Sequence, residues 1–508
     1  MAYDLEKHKR DLLKQKVVKN SVYNSFAILV SKFGGFIFTI IVARLLFPEL
    51  FGIYTLALAL ILTLATITEL GINTTIIRFI ADSLGKKNGK QEARSRLKFL
   101  FTIRILFTFA ISILLFIFSK QIAIGVFSKP LLQLPLQIGA IYLIVNSIQQ
   151  VILSIFVALQ KIKHVVTSEI IFQVSRIALI FIFLYFFKSV SSVFITLSIA
   201  IGLTILVMYL ILAKEDKYLL KGKTLPVERR RLLSFFSWMT LSAISLMILT
   251  RIDTFILGAF LKSQFIGYYG AIFTIISTAA LAITFSGVLL PVFTQLQGRN
   301  LKTLFQKTFH YICLFSIPLA LGLAIMIPWI IRVIFGAVYV PTAYTTQLTI
   351  TAALLAFIVI ETPITNFFAM VFTAKEKTKT PALLAFFSLV LIIVLSFLII
   401  PPFIRISPQH GLIGAALAVV IGRVFYLIIL AVLTKTNLKL LSKPMSIIKP
   451  VIASIIMVFV LLCFVNFTSL NLFWGIISII VAIAVYFLVM VLIKGATVDD
   501  LKLIKLIR

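Results

Sequence analysis

The sequence is poor in charged residues, in acidic residues above all, and in cysteine. Charged residues make up 13% of the 508 residues, whereas hydrophobic residues make up 61%. A soluble protein of this length needs a much larger polar fraction to cover its surface, so the composition excludes a soluble globular protein. The apolar runs also lack the alternation of membrane β-strands. The sequence therefore predicts an all-α polytopic membrane protein.

The chain also lacks the residues that build metal centres and disulfide frameworks. Its two cysteines, Cys313 and Cys463, lie far apart in apolar runs, and its four histidines are scattered without metal-ligand spacing. The first 20 residues are too polar for the core of a signal peptide, and no small-residue cleavage site follows the first apolar run. We therefore expect no metal, no cofactor and an uncleaved first span.

Apolar runs long enough to cross about 30 Å of hydrocarbon occur about fourteen times. Several exceed the length that one crossing needs, so they tilt, kink or protrude. The approximate spans are residues 21–46, 51–80, 99–118, 131–159, 165–187, 190–213, 232–261, 265–295, 308–335, 341–373, 382–401, 411–434, 450–467 and 472–493.

Lysine and arginine are distributed unevenly over the segments between these spans. With the N-terminus in the cytoplasm, the inner segments hold 35 of them and the outer segments hold 5. Such a bias orients membrane proteins, so both termini are predicted to be cytoplasmic. The bias also accounts for the net charge of +32 without a nucleic-acid partner, because these cations lie in alternating loops near anionic lipid headgroups.

The longest inner segment, residues 214–231, separates two halves that resemble each other. "ELFGIYTLALALI" (49–61) aligns with "QFIGYYGAIFTII" (264–276) at an offset of 215. "ALQKIK" (158–163) aligns with "AKEKTK" (374–379) at an offset of 216. An offset of six spans predicts two six-helix bundles of the same orientation, related by a pseudo-two-fold axis along the membrane normal, with the last two spans appended as a pair.

These boundaries divide the chain into six predicted parts. They are a cytoplasmic N-terminal segment (1–20), an N-lobe of six spans (21–213), the linker (214–231), a C-lobe of six spans (232–434), two accessory helices (450–493) and a cytoplasmic tail (494–508).

Twelve charged residues fall inside the predicted spans, where each costs about 2.5–3.5 kcal/mol at the bilayer centre. Arg78, Arg104 and Glu169 lie near cytoplasmic ends, and their side chains are predicted to extend to the interface. Arg44 and Arg332 lie near outer ends and are secondary candidates for a cavity. The deeper charges are Lys32, Arg176, Arg251 and Arg423 among the cations, and Glu69, Asp253 and Glu361 among the acids.

The deep cations outnumber the deep acids. A closed, dry network would balance its charge, so the surplus predicts a hydrated cavity whose missing anion is a ligand. We assign the four cations to a substrate cavity and the three acids to ion coupling or conformational change. The alternative is a set of buried ion pairs that only fixes helix packing.

Two of these acids have unusual local surroundings. Arg251 and Asp253 are two positions apart, about 200° around a helix, so neither neutralises the other. Arg251 is predicted to face the cavity, and Asp253 either meets a basic side chain of a neighbouring helix or binds a coupling proton or sodium ion. Glu361 stands two residues before Pro363, which frees the backbone carbonyl of Val359. Such a break is tolerated only where it is buried in protein or lines water.

Three stretches carry a family resemblance. "ARLLFPELFGIYTLALALI" (43–61) followed by "TELGINTTIIRFIA" (68–81), "RIDTFILGAFLKSQFIGYY" (251–269) and "FGAVY" (335–339) resemble oligosaccharide flippases, the polysaccharide transporter branch of the multidrug/oligosaccharidyl-lipid/polysaccharide (MOP) exporter superfamily. That family usually has Asp where this chain has Glu69. The matching residues are Arg44, Pro48, Glu49, Gly52, Tyr54, Glu69, Gly71, Arg78, Asp253, Gly258, Gly267 and Tyr269.

The resemblance implies a two-lobed plasma-membrane protein that works by alternating access. It implies movement of a polyprenyl-phosphate- or pyrophosphate-linked oligosaccharide from the inner to the outer leaflet for cell-surface glycan assembly. The cationic surplus suits such a headgroup, while the lipid tail would lie in an apolar groove. The implied partners are the lipid-linked oligosaccharide, membrane lipids, a coupling proton or sodium ion, and polysaccharide-assembly proteins.

Three alternatives remain beside this function. A flippase for the peptidoglycan lipid precursor is close in chemistry. A drug exporter on the same fold would need an acidic cavity for its cationic substrates. A membrane glycan polymerase or ligase would need acid/base or metal-binding clusters, whereas the outer segments carry one acidic residue, Glu49, and one histidine, His410. We therefore expect no catalytic residue and no enzyme.

Overall fold

A computed structural model gives the fold. It describes residues 2–69, 71–84, 89–222, 225–226, 251–284, 286–377, 379–440, 444–467 and 471–495. These residues form helices joined by short turns, and no β-strand occurs among them. The predicted all-α class is therefore confirmed. Contacts divide the chain into unit 1, Met1–Arg251, and unit 2, Ile252–Arg508.

The helices of the described residues are numbered in chain order. Those of unit 1 are α1 (Ala2–Glu69), α2 (Ile72–Leu84), α3 (Gly89–Lys120), α4 (Gln133–Ala158), α5 (Ile162–Phe186), α6 (Val190–Glu215) and the single turn α7 (Lys217–Leu220). Those of unit 2 are α8 (Ile252–Phe260), α9 (Ser263–Ala282), α10 (Ser286–Gln295), α11 (Gly298–Ile334), α12 (Thr345–Ala356), α13 (Ile358–Ala374), α14 (Lys379–Ile406), α15 (His410–Leu438), α16 (Met445–Phe467) and α17 (Leu472–Leu492).

Twelve stretches of the described residues are long and apolar enough to cross a membrane. The first of them, Phe26–Leu84, has 59 residues, which is about 90 Å of helix and about three times the hydrocarbon thickness. It holds the predicted first and second spans. The predicted seventh span, 232–261, lies mostly outside the described residues. The other eleven stretches match the remaining predicted spans, so about fourteen crossings fit the structure.

A kink at Phe47 separates the first span from the second within α1. Phe47 has φ 56° and ψ 170°, outside the helical region, while the chain is helical on both sides. Pro48 follows it, and the proline ring pushes the preceding residue out of the α conformation. The chain therefore changes direction between two spans without a loop.

The second span is itself broken at Gly71. Helix α1 ends at Glu69, Gly71 has φ 66°, and α2 begins at Ile72. Glycine adopts this left-handed conformation without the steric cost of a Cβ. The corresponding span of unit 2 is broken close to the position that the 215-residue offset predicts, because α9 ends at Ala282 and α10 begins at Ser286. Each unit therefore has a second span made of two helices.

The turn after the fourth span repeats in finer detail. Gln160 and Glu376, 216 residues apart, both have a left-handed backbone, with φ 57° and 59°. The next residues, Lys161 and Lys377, each donate the backbone N–H to the carbonyl oxygen five residues earlier at 2.9 Å. This is a Schellman helix ending, built in both units without the usual glycine. The internal repeat therefore extends from sequence to backbone geometry.

Large apolar side chains cover much of the outer surface of the helices. Examples are Leu106 and Phe116 on α3, exposed by 65% and 52%, and Phe397 and Leu398 on α14, exposed by 59% and 64%. In water such patches would drive association. Against hydrocarbon they need no cover, as expected of a multi-pass membrane protein.

The predicted domain boundaries stay predictions. The division between the units falls at Arg251 and Ile252, inside the predicted seventh span, whereas the predicted linker ends at residue 231. The residues that would decide between them, 227–250, lie outside the described part of the chain.

Candidate functional site

The predicted cation Arg176 lies in a slot between α1 and α5. Its guanidinium carbon is 4.7 Å from the ring centroid of Phe38 and 4.8 Å from that of Phe172. Gly35 opens the slot, because a Cβ there would come within 3.4 Å of Arg176 Nη2. A guanidinium stacks well on aromatic rings and keeps its proton at any accessible pH. The slot therefore holds a fixed positive charge.

Two polar neighbours on α5 continue from Arg176. Arg176 Nη2 donates to Gln173 Oε1, and Gln173 Nε2 donates to Glu169 Oε1 at 2.6 Å and to the Ser31 carbonyl oxygen at 3.4 Å. Arg176 Nε is buried without a hydrogen-bond partner. Gln173 is absent from the sequence-based candidates, since a neutral amide does not stand out in an apolar span. Its spacing of four from Glu169 and three from Arg176 was the available signal.

Lys32 lies beside this slot. It is half-buried, and its ammonium has no hydrogen bond or ion pair with any residue that the structure describes. It precedes Gly35 by three residues, so the two lie on adjacent parts of one helical face. Because Gly35 abuts Arg176, α1 and α5 bring two predicted cavity cations to the same region of unit 1.

Arg251, the last residue of unit 1, is half-buried and has interaction partners. The hydroxyl of Tyr54 lies within electrostatic range of both Arg176 and Arg251. Tyr54 itself is held by the ring of Phe194, with the centroids 5.9 Å apart. Arg251 therefore lies near the same region as Arg176, although the residues that precede it, 227–250, are outside the described part.

Arg104 corrects the prediction that its side chain reaches the interface. It is 2% exposed and is among the largest fully buried side chains. Its Nε donates to Ser147 Oγ at 2.8 Å and its Nη1 to Asn73 Oδ1 at 2.6 Å, and Glu69 acts on it electrostatically. The position near a cytoplasmic end suggested snorkelling, but the polar side chains of α2 and α4 satisfy the guanidinium inside the protein. Glu69 and Arg104 thus flank the break at Gly71.

The other two residues predicted to reach the interface differ from each other. Arg78 is exposed, with its guanidinium carbon 5.8 Å from the ring centroid of Phe79. Glu169, in contrast, is half-buried and accepts the hydrogen bond from Gln173, so it is part of the Arg176 cluster. Arg44 and Arg332, the secondary candidates near outer ends, are both exposed.

In unit 2, Arg423 is ion-paired with Glu361. Arg423 Nη1 donates to Glu361 Oε2 at 2.9 Å, and the two side chains are exposed by 11% and 3%. Thr362 and Thr365 donate their hydroxyls to the same carboxylate at 3.0 and 3.1 Å. Arg423, which the sequence assigns to the substrate cavity, therefore has Glu361 on α13 as its counter-ion.

Asp253 is buried beside that pair. Its Oδ2 accepts the hydroxyl of Tyr269 at 3.0 Å, and its Oδ1 accepts the backbone N–H of Thr254 at 2.7 Å. Tyr269 is also within electrostatic range of Arg423. A tyrosine hydroxyl was not among the partners expected from the sequence. The network now runs from α8 through α9 to α13 and α15.

The charge balance of the two units differs. Among the residues that the structure describes, unit 2 holds one deep cation, Arg423, and two deep carboxylates. The described part of unit 1 holds four cations and two carboxylates at comparable positions, so its surplus is positive. Its members are Lys32, Arg104, Arg176, Arg251, Glu69 and Glu169. The cationic surplus seen in the sequence therefore belongs to unit 1.

Unit 2 also contains an apolar groove of about 610 Å³. The end of α9, the middle of α11 and the helices α16 and α17 form it, with Phe315, Leu319, Met457 and Ile483 among the lining residues. The hydroxyl of Tyr486 is turned away from solvent, because it donates to the Leu314 carbonyl oxygen at 2.7 Å. The groove therefore offers hydrocarbon contacts and almost no polar atoms.

The profile of a family described as "Polysaccharide biosynthesis protein" matches residues 17–297, more than half of the chain. A comparison with curated protein sequences finds no significant match.

Three solved structures have similar folds. One is "Lipid II flippase MurJ, inward closed conformation", with 18% identity over 97% of this chain and 100% of that chain and a TM-score of 0.68. Another is a multidrug resistance MATE family transporter of the MOP superfamily in an inward-facing conformation, with 15% identity, coverage of 82% and 99%, and a TM-score of 0.63. A third is a MOP superfamily transporter from Pyrococcus furiosus, with 15% identity, coverage of 84% and 96%, and a TM-score of 0.55. At such identities the likeness shows the fold, and it confirms the MOP-type architecture.

Proposed function

We propose that this chain, a member of the polysaccharide biosynthesis protein family, moves a polyprenyl-phosphate- or pyrophosphate-linked oligosaccharide from the inner to the outer leaflet of the plasma membrane. The chain is a multi-pass membrane protein with the fold of MOP-superfamily transporters. Alternating access moves such a substrate without a covalent step. The observation that carries the proposal is the cationic surplus of unit 1, with Lys32 and Arg176 at its centre.

Arg176 and Lys32 offer a phosphate ligand two different kinds of contact. Arg176 presents a planar guanidinium with directional N–H groups, and Lys32 adds a compact charge on a flexible stem. Inside a protein a charge without a counter-ion is costly. A pyrophosphate headgroup would supply the missing negative charge and so offset the free-energy cost of the buried positive charge. A cationic drug would increase that free-energy cost, which is why we propose an anionic substrate.

The apolar groove of unit 2 supports the lipid part of the proposal. Its wall of leucine, isoleucine, methionine and phenylalanine side chains offers a polyprenyl tail the same contacts as bilayer hydrocarbon. Transfer of a polyprenyl tail from the bilayer to this groove changes its free energy little, so the groove would bind the tail only weakly. Recognition would then rest on the headgroup.

The acidic residues serve the transport cycle in this proposal. Glu69 lies at the broken second span, and Asp253 and Glu361 lie in the buried network of unit 2. Each is placed where a change in charge would alter contacts between helices. The coupling ion would be a proton or sodium, the termini would be cytoplasmic, and polysaccharide-assembly proteins would act on the exported product.

Ligand binding tests the proposal directly. The purified chain in lipid nanodiscs is titrated with geranylgeranyl pyrophosphate and with geranylgeraniol, which share a tail and differ in charge. We expect the pyrophosphate to bind at least about tenfold more tightly, equivalent to about 1.4 kcal/mol. Arg176→Gln and Lys32→Gln should each remove most of that preference, whereas Arg405→Gln, an exposed matched control, should keep it.

Two results would overturn the proposal. Equal affinity of the wild-type chain for the two prenyl probes would remove the role of the headgroup. Tighter binding of a lipophilic cation than of the pyrophosphate would favour drug export. If the headgroup preference holds, flipping assays with a lipid-linked oligosaccharide and with the peptidoglycan precursor separate the two flippase functions.

A further inference from the structure

We propose that Gln173 and Glu169 are positioning residues that keep Arg176 oriented and its charge available to an anionic headgroup. Neither residue need touch the ligand, because they act through Arg176. This inference rests on the proposed function, since it explains how one of its binding groups is prepared. It follows from the arrangement of donors and acceptors along α5.

The amide of Gln173 has only one satisfactory orientation. Its Nε2 faces two acceptors, the Glu169 carboxylate at 2.6 Å and the Ser31 carbonyl oxygen at 3.4 Å. Its Oε1 then faces Arg176 Nη2. A flipped amide would set oxygen against carboxylate and NH₂ against guanidinium, losing all three hydrogen bonds. Glu169 therefore fixes the amide, and the amide fixes the guanidinium.

A neutral amide at this place also separates two opposite charges. Glu169 and Arg176 are seven residues apart, about 10.5 Å along the helix axis. Gln173 fills the space between them and relays a hydrogen bond without transferring charge. A carboxylate at position 173 would pair with Arg176 directly and neutralise it. The amide therefore holds the guanidinium while leaving its charge for a ligand.

The arrangement leaves one amino group of Arg176 for that ligand. Nη2 is engaged by Gln173, and Nε is buried with no partner. Nη1 has no hydrogen-bond partner among the residues that the structure describes, and it is not enclosed in the way that Nε is. Because Phe38 and Phe172 lie against the guanidinium, it cannot rotate freely to present a different edge. Nη1 is therefore the group we assign to a phosphate oxygen.

The close approach of α1 and α5 seats the amide. Gln173 is 5% exposed, and a Cβ at Gly34 would lie within 2.7 Å of Gln173 Cγ. A side chain at position 34 would thus displace the glutamine. Gly34 therefore accommodates Gln173, and the neighbouring Gly35 lies within contact distance of Arg176.

The decisive experiment removes a negative charge and asks whether an anion binds more weakly. Electrostatics alone predicts that losing the Glu169 carboxylate tightens binding of geranylgeranyl pyrophosphate. Positioning predicts the reverse for Glu169→Leu, because the amide loses the acceptor that orients it. We expect about a fivefold to tenfold higher Kd for this variant, with geranylgeraniol binding unchanged. A Kd that falls, as charge removal alone predicts, would overturn the inference.

Conservative variants separate positioning from structural damage. Glu169→Gln keeps an acceptor oxygen in place and should restore wild-type affinity or better. Gln173→Glu keeps the shape and adds a competing charge, and it should weaken pyrophosphate binding by about tenfold or more. Gln149→Leu is the matched control, since Gln149 is also buried but has no hydrogen bond to Arg176, and it should leave both Kd values unchanged.

The two proposals fail in different ways. If the wild-type chain does not prefer the pyrophosphate to the alcohol, the proposed function fails. If that preference exists and disappears in Arg176→Gln, but Gln173→Glu binds like the wild type, the proposed function stands and the positioning role is wrong. If Glu169→Leu does not fold, Gln173→Met provides the test, because it removes the hydrogen bond to Arg176 without adding a charge and should raise the Kd for the pyrophosphate. An unchanged Kd in Gln173→Met would overturn the positioning role.

Discussion

Arg423 and Glu361 form a buried ion pair across two helices of unit 2, with Nη1 and Oε2 2.9 Å apart. The two residues are 62 positions apart in the chain. The hydroxyls of two threonines donate hydrogen bonds to the carboxylate of Glu361, whereas Arg423 Nε remains buried without a hydrogen-bond partner. The pair therefore stabilises the packing of α13 and α15 at the cost of one unsatisfied donor.

Breaking this pair should cost more than replacing it. Arg423→Met or Glu361→Leu alone leaves a buried charge without its partner and should lower the free energy of unfolding by about 3–5 kcal/mol. The double variant removes both charges and should be much closer to the wild type. Thermal unfolding of the four purified proteins measures the cycle. Strictly additive losses would show that the pair is not coupled.

Arg104→Gln should reduce stability, and Arg78→Gln should not. Glutamine at position 104 cannot reach both Ser147 and Asn73, and each buried polar group left without a partner costs about 1–3 kcal/mol. Arg78 is exposed, so its replacement does not remove a buried hydrogen-bonding group. The measurement is protein abundance in the membrane together with the unfolding temperature. Equal behaviour of the two variants would contradict the buried network.

Asp253→Asn should slow transport while leaving ligand binding intact. The asparagine side chain keeps the shape and still accepts the hydroxyl of Tyr269, but it removes the charge that a moving network would exchange. Tyr269→Phe should show a weaker form of the same defect. Pyrophosphate affinity and lipid flipping in proteoliposomes are measured side by side. Loss of binding in Asp253→Asn with unimpaired binding in Arg251→Gln would reverse the assigned roles.

The cluster around Lys161 makes a stability contribution that depends on pH. Burial lowers the pKa of Lys161, but hydrogen bonds from its ammonium to Asp216 at 2.6 Å and Glu215 at 2.8 Å outweigh burial and raise the pKa above its ordinary value. A raised pKa in the folded state stabilises the protein fully below the unfolded pKa, about 10.4, and the gain is lost as pH rises through the folded pKa.

Lys161→Gln should therefore lower the unfolding temperature at pH 7 to 9, and the difference from the wild type should shrink as the pH rises above the unfolded pKa of about 10.4. The effect should be modest, because an ion pair with this exposure is worth at most about 1 kcal/mol. Unfolding curves of both proteins across this pH range provide the measurement. A difference that persists unchanged in alkali would assign the loss to packing instead of charge.

The predicted topology places Lys221 inside and Arg405 outside. Single cysteines at these two exposed positions, in a chain whose native cysteines are replaced, should be labelled by an impermeant thiol reagent from opposite sides of intact cells. Lys221→Cys should react only after permeabilisation, and Arg405→Cys should react without it. Labelling of both under the same condition would refute the fourteen-span arrangement.

The spans and the repeat were predictable because both are local properties of the sequence. An apolar run of sufficient length predicts a membrane span. A motif repeated at a fixed offset predicts a second helical bundle. The partners of buried charges were not predictable in this way. Arg104 finds Asn73 and Ser147 at separations of 31 and 43 residues, so its position near a helix end gave the wrong environment.

Gln173 shows a different limit of sequence reasoning. A charged residue in an apolar span is a clear candidate because its burial in the membrane is costly. A neutral amide has a much smaller cost of burial, so the sequence gives no comparable reason to select it. Its importance depends on Glu169 and Arg176 at helical spacing and on Gly34 across the helix contact. These four residues come together only because α1 packs on α5, and this packing cannot be predicted from the sequence of either helix alone.

Arg104 and Arg423, two buried arginines, also have a common place in the order of chain synthesis. Asn73 and Glu69 precede Arg104, and Glu361 precedes Arg423. An arginine keeps its proton, so it enters the bilayer as a permanent ion and needs a polar partner there. In both cases a polar or acidic partner is synthesised first, so it is already in the membrane when the arginine is inserted.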